Sequence, residues 1–390
     1  MRIRDAWISI AFAAALPGAV AQELVLANPI DVDRPQEVIE ISLGQVLEHL
    51  HITSTQAGAI IAEDKETGKR IATQLERSAT QGTADHLLLL VQLRAHGQER
   101  IRFRIDPNAS QQRTLVFGRA VPERLDDFAW ENEMVAHRIY GPALEATGEI
   151  SSGIDVWSKR APNFVVDSFY KRASEGERTN NPGLSYHVDN GQGLDSYDVG
   201  PSRGCGGTAA FANGKLVASK NFTGIHILAN GPIRFSFEVA YAPWDVKGVG
   251  VTETKRITLD AGMHMNRIES TFTFHGTPTL DLAAGIAVHA GAHAEFPEAG
   301  NIASVWDMPQ DPSAGRIATG LIATSGEHAR TLEAANNAVM IFTRHSGEPF
   351  VYFAGSGWSK ADMPSAADWN NYLRLQLKML ENPIEMRWSR

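Results

Sequence analysis

Short segments in which apolar and polar residues alternate recur along almost the entire chain of 390 residues. Clear examples are HLLLLVQL, NFVVDSFYK, IRFSFEVAYAPW and PFVYFAG. A period of two with many β-branched and aromatic residues predicts antiparallel strands. These strands are too many for one flat sheet. The sequence therefore predicts an all-β fold with few helices, built around a large antiparallel sandwich.

Two features divide this succession of strands. Residues 106–112, DPNASQQ, have the composition of a linker. The segment DWNNYLRLQLKMLEN has the apolar spacing of an amphipathic helix, which Ser365 or Asp368 can cap. We predict a small β domain over residues 22–112 and a larger β domain over residues 113–390, with this helix packed on one of its sheets.

The N-terminus has the pattern of a secretory signal peptide. Two arginines at the start precede an apolar stretch from Ala6 to Ala15, and a small-x-small pattern ends at Ala21. We predict a signal peptide over residues 1–21, cleavage near Ala21 and a periplasmic or secreted protein. No later segment approaches the ~20 apolar residues that a membrane-spanning helix needs, so we expect no membrane partner.

Composition excludes several classes of protein. The formal net charge is −9, which argues against nucleic acid or an anionic membrane surface as a partner. An acidic substrate would have to meet locally placed Arg, Lys or His. The single cysteine, Cys205, cannot form an internal disulfide, so apolar burial must stabilise the fold. The sequence sets no oligomeric state.

Residues 185–207, SYHVDNGQGLDSYDVGPSRGCGG, combine six glycines with side chains that can do chemistry. The latter are His187, Asp189, Asp195, Tyr197 and Arg203. Such a stretch is poor core material, and its glycines let the backbone approach a ligand closely. A proton acceptor, carboxylates, a phenol and a fixed cation on one loop are typical of a site for a polar substrate. The alternative is a surface loop whose Asp and Gly residues only form turns.

Five ordered blocks carry a resemblance to a known family. They are WENEMVAHRIYGPAL, SGIDVWSKR, YHVDNGQGLDSYDVGPSRGCGG, NGPIRFSFEVAY and ITLDAGMHMNR. Together they resemble a bacterial domain family of unknown function from polysaccharide-utilisation gene clusters, over nearly the whole mature chain. The resemblance implies a β-supersandwich of the galactose-mutarotase type preceded by a small β domain. It also implies an oligosaccharide dehydratase activity like that of ulvan-degrading relatives, in which a terminal uronic acid loses water across C4 and C5.

Such a β-elimination makes definite demands on side chains. The substrate carboxylate must be neutralised before a base removes the C5 proton, and an acid must protonate the leaving hydroxyl. Arg203 and Arg138 are the candidate cations. His187 or His137 is the candidate base, with His187 ranked first because it shares the glycine-rich loop with Arg203, and Tyr197 or Tyr140 is the acid or base partner. Which of His187 and Tyr197 is the base and which is the acid stays open on the sequence alone.

Alternation separates the candidates around residue 138. If residues 134–140 form a strand, Arg138 and Tyr140 share one face and can both line a cleft. His137 then lies on the other face with Val135. For His137 a place in the core is the favoured interpretation.

Other residues are candidates for binding the substrate. Asp189 and Asp195 are the carboxylates of the glycine-rich loop. Trp157 could stack on a sugar ring, with Lys159 beside it. His289 is a further candidate for the cleft.

A metal site is the weaker alternative for the histidines. His289 and His293 are four residues apart and would face the same side of a strand. With Glu295 or Asp189 they could hold a divalent metal, but two histidines lack the ligand count of a recognised site. We expect no metal and no other cofactor.

Taken together, the sequence predicts a carbon–oxygen lyase, specifically a hydro-lyase that acts on uronate-containing oligosaccharides in bacterial polysaccharide degradation. The expected partner is the oligosaccharide itself. A polysaccharide lyase, a sugar epimerase and a glycoside hydrolase on the same fold are the alternative enzymes. A hydrolase would need two carboxylates ~5 to 9.5 Å apart, for which Asp189, Asp195 and Glu238 are available. A non-catalytic carbohydrate-binding protein is the alternative from another class.

Overall fold

The computed structural model describes residues 23–77, 82–160 and 162–389. The predicted signal peptide lies outside the described residues. The described part is dominated by antiparallel strands and contains four α-helices, which confirms the all-β prediction. Within these ranges, no helix is long and apolar enough to cross a membrane.

Strands greatly outnumber helices along the described part of the chain. The strands of the first third are β1 (Leu24–Ala27), β2 (Arg34–Ser42), β3 (Ile60–Asp64), β4 (Arg70–Glu76), β5 (His86–Leu93), β6 (Gln98–Ile105), β7 (Val116–Val121), β8 (Asp127–Asn132) and β9 (Ala136–Ile139). The next are β10 (Asp155–Lys159), β11 (Gly193–Leu194), β12 (Cys205–Ala212), β13 (Lys215–Val217), β14 (Phe222–Asn230), β15 (Arg234–Tyr241), β16 (Trp244–Val246), β17 (Val249–Asp260) and β18 (Met265–Phe274). The last are β19 (Thr279–Ala287), β20 (Ala294–Glu298), β21 (Ile302–Asp307), β22 (Ile317–Ile322), β23 (Arg330–Ala334), β24 (Asn337–His345), β25 (Pro349–Trp358) and β26 (Glu385–Trp388). The helices are α1 (Leu43–Leu50), α2 (Pro142–Ala146), α3 (Val166–Thr179) and α4 (Ala366–Glu381).

Four sheets organise these strands. The first has the order β2-β5-β4-β3-β6-β1-β26. The second has the order β11-β10-β9-β8-β7, and the third has the order β13-β12-β19-β24-β23. The fourth has the order β14-β15-β17-β18-β25-β22-β21-β20, with β16 paired to β17. The last strand of the chain thus joins the first sheet. The division into domains over 22–112 and 113–390 stays a prediction.

The second, third and fourth sheets share one apolar core. Alternate side chains of β15, β17 and β18 point into it and meet residues from β19 and β24. The core members from these strands include Phe235, Phe237, Ile257, Ile268, Ala284, Ile286, Met340 and Phe342. Phe128 and Trp130 of β8 pack against the rings of Phe235 and Phe237, which attaches the second sheet to the same core. Burial of each such large side chain stabilises the fold by roughly 1.5–3 kcal/mol.

The segment NFVVDSFYK, residues 163–171, forms a helix, so the strand prediction for it is wrong. Most of it belongs to the first turns of α3. Val166, Phe169 and Tyr170 are buried on one side of that helix, at the spacing of three and four residues that a helix requires. A short apolar run fits both periods, and packing against the second sheet decides between them.

The helix predicted near the C-terminus is α4, and it begins as expected. The Ser365 hydroxyl oxygen accepts the backbone N–H of Asp368, at 3.2 Å. Trp369 and Leu373 of α4 are fully buried. They cover Gly320 of β22, where a Cβ atom would lie only 2.8 Å from the Leu373 side chain. The glycine therefore lets the helix approach the sheet closely.

Candidate functional site

A buried charge cluster lies on the second sheet, and Arg138 is at its centre. Asp155 of β10 stands directly opposite Arg138 of β9, and its Oδ2 accepts the Arg138 Nε–H at 2.9 Å. Arg138 Nη2 also donates to Asp195 Oδ2, at 2.9 Å. Asp127 of β8 places its Oδ2 3.6 Å from Arg138 Nη1. One guanidinium group, 5% exposed, therefore faces three carboxyl groups.

Aromatic rings enclose the same guanidinium group. The ring centroids of Tyr140, Trp157 and Tyr186 lie 5.0, 5.1 and 5.5 Å from the Arg138 guanidinium carbon. The Tyr140 hydroxyl donates to Asp155 Oδ2, at 3.0 Å. The strand is shorter than the predicted 134–140 and ends at Ile139, but Tyr140 directly after it contacts Arg138 on the same side. Flat rings against a planar cation keep water out and hold the cluster in one geometry.

His137 occupies the opposite face of β9, as alternation predicts. Its side chain is fully buried, and Nδ1 lies 3.3 Å from the backbone oxygen of Asp155. Burial lowers the pKa of His137 to about 4, so the ring is neutral at physiological pH. The prediction that His137 is a core residue is confirmed.

The three carboxyl groups do not have equivalent environments. Asp155 makes the close contacts with the cation, and its Oδ1 accepts the Val156 backbone N–H at 2.8 Å. In Asp127 and Asp195, by contrast, Oδ1 is buried without a hydrogen-bond partner. Burial raises the pKa of Asp127 to about 6, and burial together with the neighbouring Asp155 raises the pKa of Asp195 well above its usual value. The cluster therefore retains protons that ordinary aspartates would lose.

His187 sits at the outer edge of this cluster. Its Nδ1 lies 2.9 Å from the backbone oxygen of Asp195 and 3.7 Å from Asp195 Oδ2. With Nδ1–H donating to that carbonyl, the proton-free nitrogen is Nε2, on the opposite side of the ring. The imidazole packs on Tyr186, with ring centroids 4.6 Å apart, and its side chain is 61% exposed. The residue is thus oriented as a proton acceptor that faces outward.

An open cavity of about 880 Å³ lies above the cluster. Its walls come from the turn at 122–125, from α3 and from residues 180–187. The lining residues with ionisable side chains are Glu123, Arg124, Glu177, Tyr186 and His187. The Tyr186 hydroxyl oxygen accepts from Arg124 Nε, at 3.3 Å, and from Arg138 Nη1, at 3.4 Å. Tyr186 therefore connects the buried cluster to the cavity.

Arg203 and Tyr197 are not part of this site. Arg203 is 5% exposed, and its Nη1 donates to Ser152 Oγ and to the backbone oxygen of Thr208. Burial lowers the pKa of Arg203 to about 10. The Tyr197 hydroxyl donates to the backbone oxygen of Gly204, at 2.9 Å. The predicted roles of these residues as substrate cation and acid are corrected, because both side chains lie inside the sandwich.

The same finding corrects the expectation for the whole loop. Residues 185–192 do form an outer turn region, but the segment after β11 runs into the protein. Leu194, Val199 and Cys205 are all at most 5% exposed, as part of the main core. Gly204, at φ +55°, lies so close to β10 that a Cβ atom would stand 2.2 Å from the Ile154 oxygen. Here the glycines serve packing of backbone on backbone.

Trp157 and Lys159 are also interior residues. Trp157 is 1% exposed and packs on Phe169 of α3, so it has no free face for a sugar ring. Lys159 Nζ donates to Glu131 Oε2 and to the backbone oxygen of Asn132, both at 2.7 Å. Glu131 in turn accepts the first backbone N–H groups of α3. The predicted substrate contacts are corrected: Lys159 supports the helix that walls the cavity.

Replacing Lys159 by methionine should therefore destabilise the protein. The Glu131 carboxylate would be left buried without its cation, which costs about 3–5 kcal/mol of unfolding free energy. Urea unfolding monitored by tryptophan fluorescence measures this loss. The matched control is Lys220→Met, since Lys220 is 60% exposed in its pair with Glu145 and should change the free energy by less than about 1 kcal/mol. Equal losses in the two variants would contradict the structural role of Lys159.

His289 and His293 do not share a strand face. Strand β19 ends at Ala287, so both histidines lie in the connection to β20, and the strand prediction for them is wrong. His289 Nδ1 contacts Asp307 Oδ2, and Nε2 lies 2.6 Å from the Asp198 oxygen. The contact with Asp307 raises the pKa of His289. Across the described residues, no three His, Cys, Asp or Glu side chains converge in a way that could hold a metal ion.

Asp189 and Asp195 have different surroundings. Asp189 forms a two-pronged ion pair with Arg160, at 2.8 and 2.9 Å, which lowers the pKa of Asp189 to about 2. Asp189 lies within the outer turn region of residues 185–192 and is partly exposed. Asp195 is 2% exposed beneath His187 and positions that ring. The structure thus brings together His187, Asp195, Arg138 and Tyr140 from the predicted set.

Four residues of the site were missed from the sequence: Arg124, Asp127, Asp155 and Tyr186. Asp155 is the direct cross-strand neighbour of Arg138, but that register is set only when β9 and β10 pair. Tyr186 directly precedes His187, and that adjacency was an available signal. Arg124 follows a proline in a short 3₁₀ turn, where the sequence gives no periodic pattern.

The fold and the site define an all-β sandwich protein with an open cavity above a buried charge cluster of one arginine and three aspartates. The chain belongs to the family described as domain of unknown function DUF4861, whose model matches residues 26–386. It is similar to "Uncharacterized protein P7" of Formosa agariphila, with 30% identity over 380 residues that cover 93% of this chain and 92% of the relative.

Solved structures resemble the chain at the level of the fold. A protein in glycosyl hydrolase family 38 from Enterococcus faecalis matches with a TM-score of 0.50 and 10% identity, over 95% of this chain and 47% of that one. An α-mannosidase from Enterococcus faecalis V583 has a TM-score of 0.48 and 10% identity, over 95% and 46% of the two chains. The chain spans about half the length of these two proteins.

Proposed function

We propose that the protein is an oligosaccharide dehydratase that removes water across C4 and C5 of a terminal uronic acid, and that the cavity above Arg138 is its active site. The observation that carries the proposal is the orientation of His187. Its Nδ1 is held by the Asp195 backbone oxygen, which leaves Nε2 on the outer side of the ring, and the ring packs on Tyr186 with centroids 4.6 Å apart in the wall of the cavity. An oriented base beside a phenol meets the demands of general acid/base elimination.

Arg124 is the residue that we assign to the substrate carboxylate. Its Nε donates to Tyr186, while Nη1 and Nη2 make no hydrogen bond within the described part of the chain. Arg138 cannot take this role, since three carboxyl groups already surround it. A carboxylate bound by Arg124 would lie beside His187 and Tyr186. The positive charge of the Arg124 guanidinium would make the C5 proton of the sugar more acidic.

Two side chains, His187 and Tyr186, are enough to account for both proton transfers of the reaction. His187 Nε2 takes the C5 proton, and the electron pair of that C–H bond forms the C4=C5 double bond. The C4–O bond breaks as Tyr186 gives its hydroxyl proton to the departing oxygen, which leaves as water. Two guanidinium groups face the Tyr186 oxygen as negative charge develops on it. Transfer of the proton from His187 back to Tyr186, directly or through solvent, restores the starting state.

The test is to incubate the purified protein with saturated oligosaccharides that end in glucuronate. Ultraviolet absorbance detects the conjugated double bond, and mass spectrometry detects the product. A loss of one water without chain shortening supports the dehydratase. Chain shortening with a new double bond would assign a polysaccharide lyase instead. Absence of any unsaturated product would overturn the proposal in favour of a hydrolase, an epimerase or a binding protein.

Replacing Tyr186 by phenylalanine should remove the proposed acid and leave the proposed base, His187, in place. Without its proton donor, turnover should fall by about 10²-fold, while KM changes little because the ring is kept. Steady-state kinetics with the glucuronate-ended oligosaccharide measures both constants. Tyr372→Phe, which removes the hydroxyl of a partly buried tyrosine on α4, is the matched control and should keep full turnover. Full turnover in the Tyr186 variant would assign the acid elsewhere.

A further inference from the structure

The net charge beneath the cavity depends on whether the aspartates of the buried cluster hold their protons. Arg124 and Arg138 are the two cations of the site, and both face the Tyr186 hydroxyl. Asp127, Asp155 and Asp195 are the three carboxyl groups. If all three were ionised, these five groups would carry a net negative charge, to which Glu123 and Glu177 in the cavity lining would add, and the site would repel a uronate. The geometry therefore requires that the cluster hold protons when an anionic sugar binds.

Asp127 is the carboxyl group whose protonation sets the net charge of the cluster. It is fully buried on β8, three residues after Arg124, and its Oδ1 has no partner. From α3, the Tyr170 hydroxyl lies 3.3 Å from its Oδ2. Arg138 approaches from β9, and the charge of Asp155 acts from β10. The charge of Arg124 acts on Asp127 from the preceding turn, whereas β7 places the apolar Val121 opposite it.

We infer that protonation of Asp127 controls the affinity of the cavity for anionic sugars, because ionisation of Asp127 adds one negative charge beneath a cavity whose lining already includes Glu123 and Glu177. The inference rests on the proposed function, because it treats a uronate as the ligand. With Asp195 protonated and Asp155 paired to Arg138, neutral Asp127 leaves the charge of Arg124 available. The pKa of about 6 places the change between mildly acidic and mildly alkaline solution.

The sign of the effect follows from where the proton is held. The folded protein raises the pKa of Asp127 above that of the unfolded chain, so its ionisation costs stability. This cost appears as pH rises toward and through about 6. Asp127→Asn keeps the shape of the side chain and abolishes the ionisation. The melting temperature of the variant should therefore exceed that of the wild type at about pH 8, and this difference should shrink at about pH 5.

The ligand measurement is calorimetric titration with a saturated glucuronate-ended oligosaccharide. All proteins in this experiment carry His187→Ala, which suppresses turnover and removes the imidazole of the cavity. The parent should bind about tenfold more weakly at about pH 8 than at about pH 5, because one unit charge near the ligand is gained. The Asp127→Asn protein should bind equally well at both. Asp126→Asn removes an exposed carboxylate one residue away, and this control should behave like the parent.

Two results would overturn the inference. One is an Asp127→Asn protein whose affinity depends on pH in the same way as that of the parent. The other is a pH-independent difference between the melting temperatures of wild type and variant. If affinity follows Asp127 but no unsaturated product forms from any uronate, the dehydratase proposal fails while the charge control stands. If no uronate binds at any pH, both fail.

Discussion

Replacing His187 by alanine is expected to lower turnover by roughly 10²- to 10⁴-fold while the affinity for the oligosaccharide stays nearly the same. The ring is 61% exposed, and its one hydrogen bond goes to a backbone oxygen, so its removal leaves no buried charge unpaired. The loss should therefore appear in kcat. Formation of unsaturated product under saturating substrate measures it, and calorimetry measures the affinity.

The control for this experiment is His226→Ala. His226 is an exposed histidine on β14, away from the cavity. It should keep the turnover of the wild type. A His187 variant with undiminished turnover would remove the base from the proposed mechanism. A variant with weakened affinity and no product from either protein would instead indicate a carbohydrate-binding role.

Replacing Arg138 by methionine should have the largest effect on stability. The substitution leaves Asp127, Asp155 and Asp195 buried without the cation that they share. Removal of one partner from a buried ion pair costs about 3–5 kcal/mol, and three carboxyl groups place this variant at the upper end of that range. Chemical unfolding at neutral pH measures the change.

The same variant should recover part of its stability in mildly acidic solution. Protonation neutralises the abandoned carboxyl groups, so the deficit relative to the wild type should shrink as pH falls. Arg178→Met is the matched control, since Arg178 on α3 is 72% exposed in its pair with Glu175. It should leave the stability nearly unchanged at every pH. A deficit for Arg138→Met that is independent of pH would show that the cluster is not held together by charge.

Regular alternation made part of the site predictable. Arg138, Tyr140 and His137 lie on or directly beside a regular strand, so their faces follow from sequence position alone. The capped helix α4 was predictable for the same reason, because its pattern is local. In both cases the neighbours along the chain decide where the side chains point.

Pairing between distant segments made the rest unpredictable. Lys159 has the sequence pattern of an exposed charge, but Glu131, 28 residues earlier, supplies a buried partner. Arg203 sits in a glycine-rich stretch that resembles a surface loop, yet its donors meet Ser152 and Thr208 inside the sandwich. Composition indicates which groups are available. It does not indicate which strand lies opposite, and that register decides whether a charge meets water or a counter-charge.

The placement of β26 has a consequence for the order of folding. Strand β1 pairs with β6 on one side and with β26 on the other, so residues 24–27 meet residues 385–388. Until residues 385–388 leave the ribosome, one edge of β1 is an open row of N–H and C=O groups that can pair with wrong partners. The first sheet is therefore complete only after every other sheet has been synthesised. During synthesis, β1 therefore has one unpaired edge until β26 is available to pair with it.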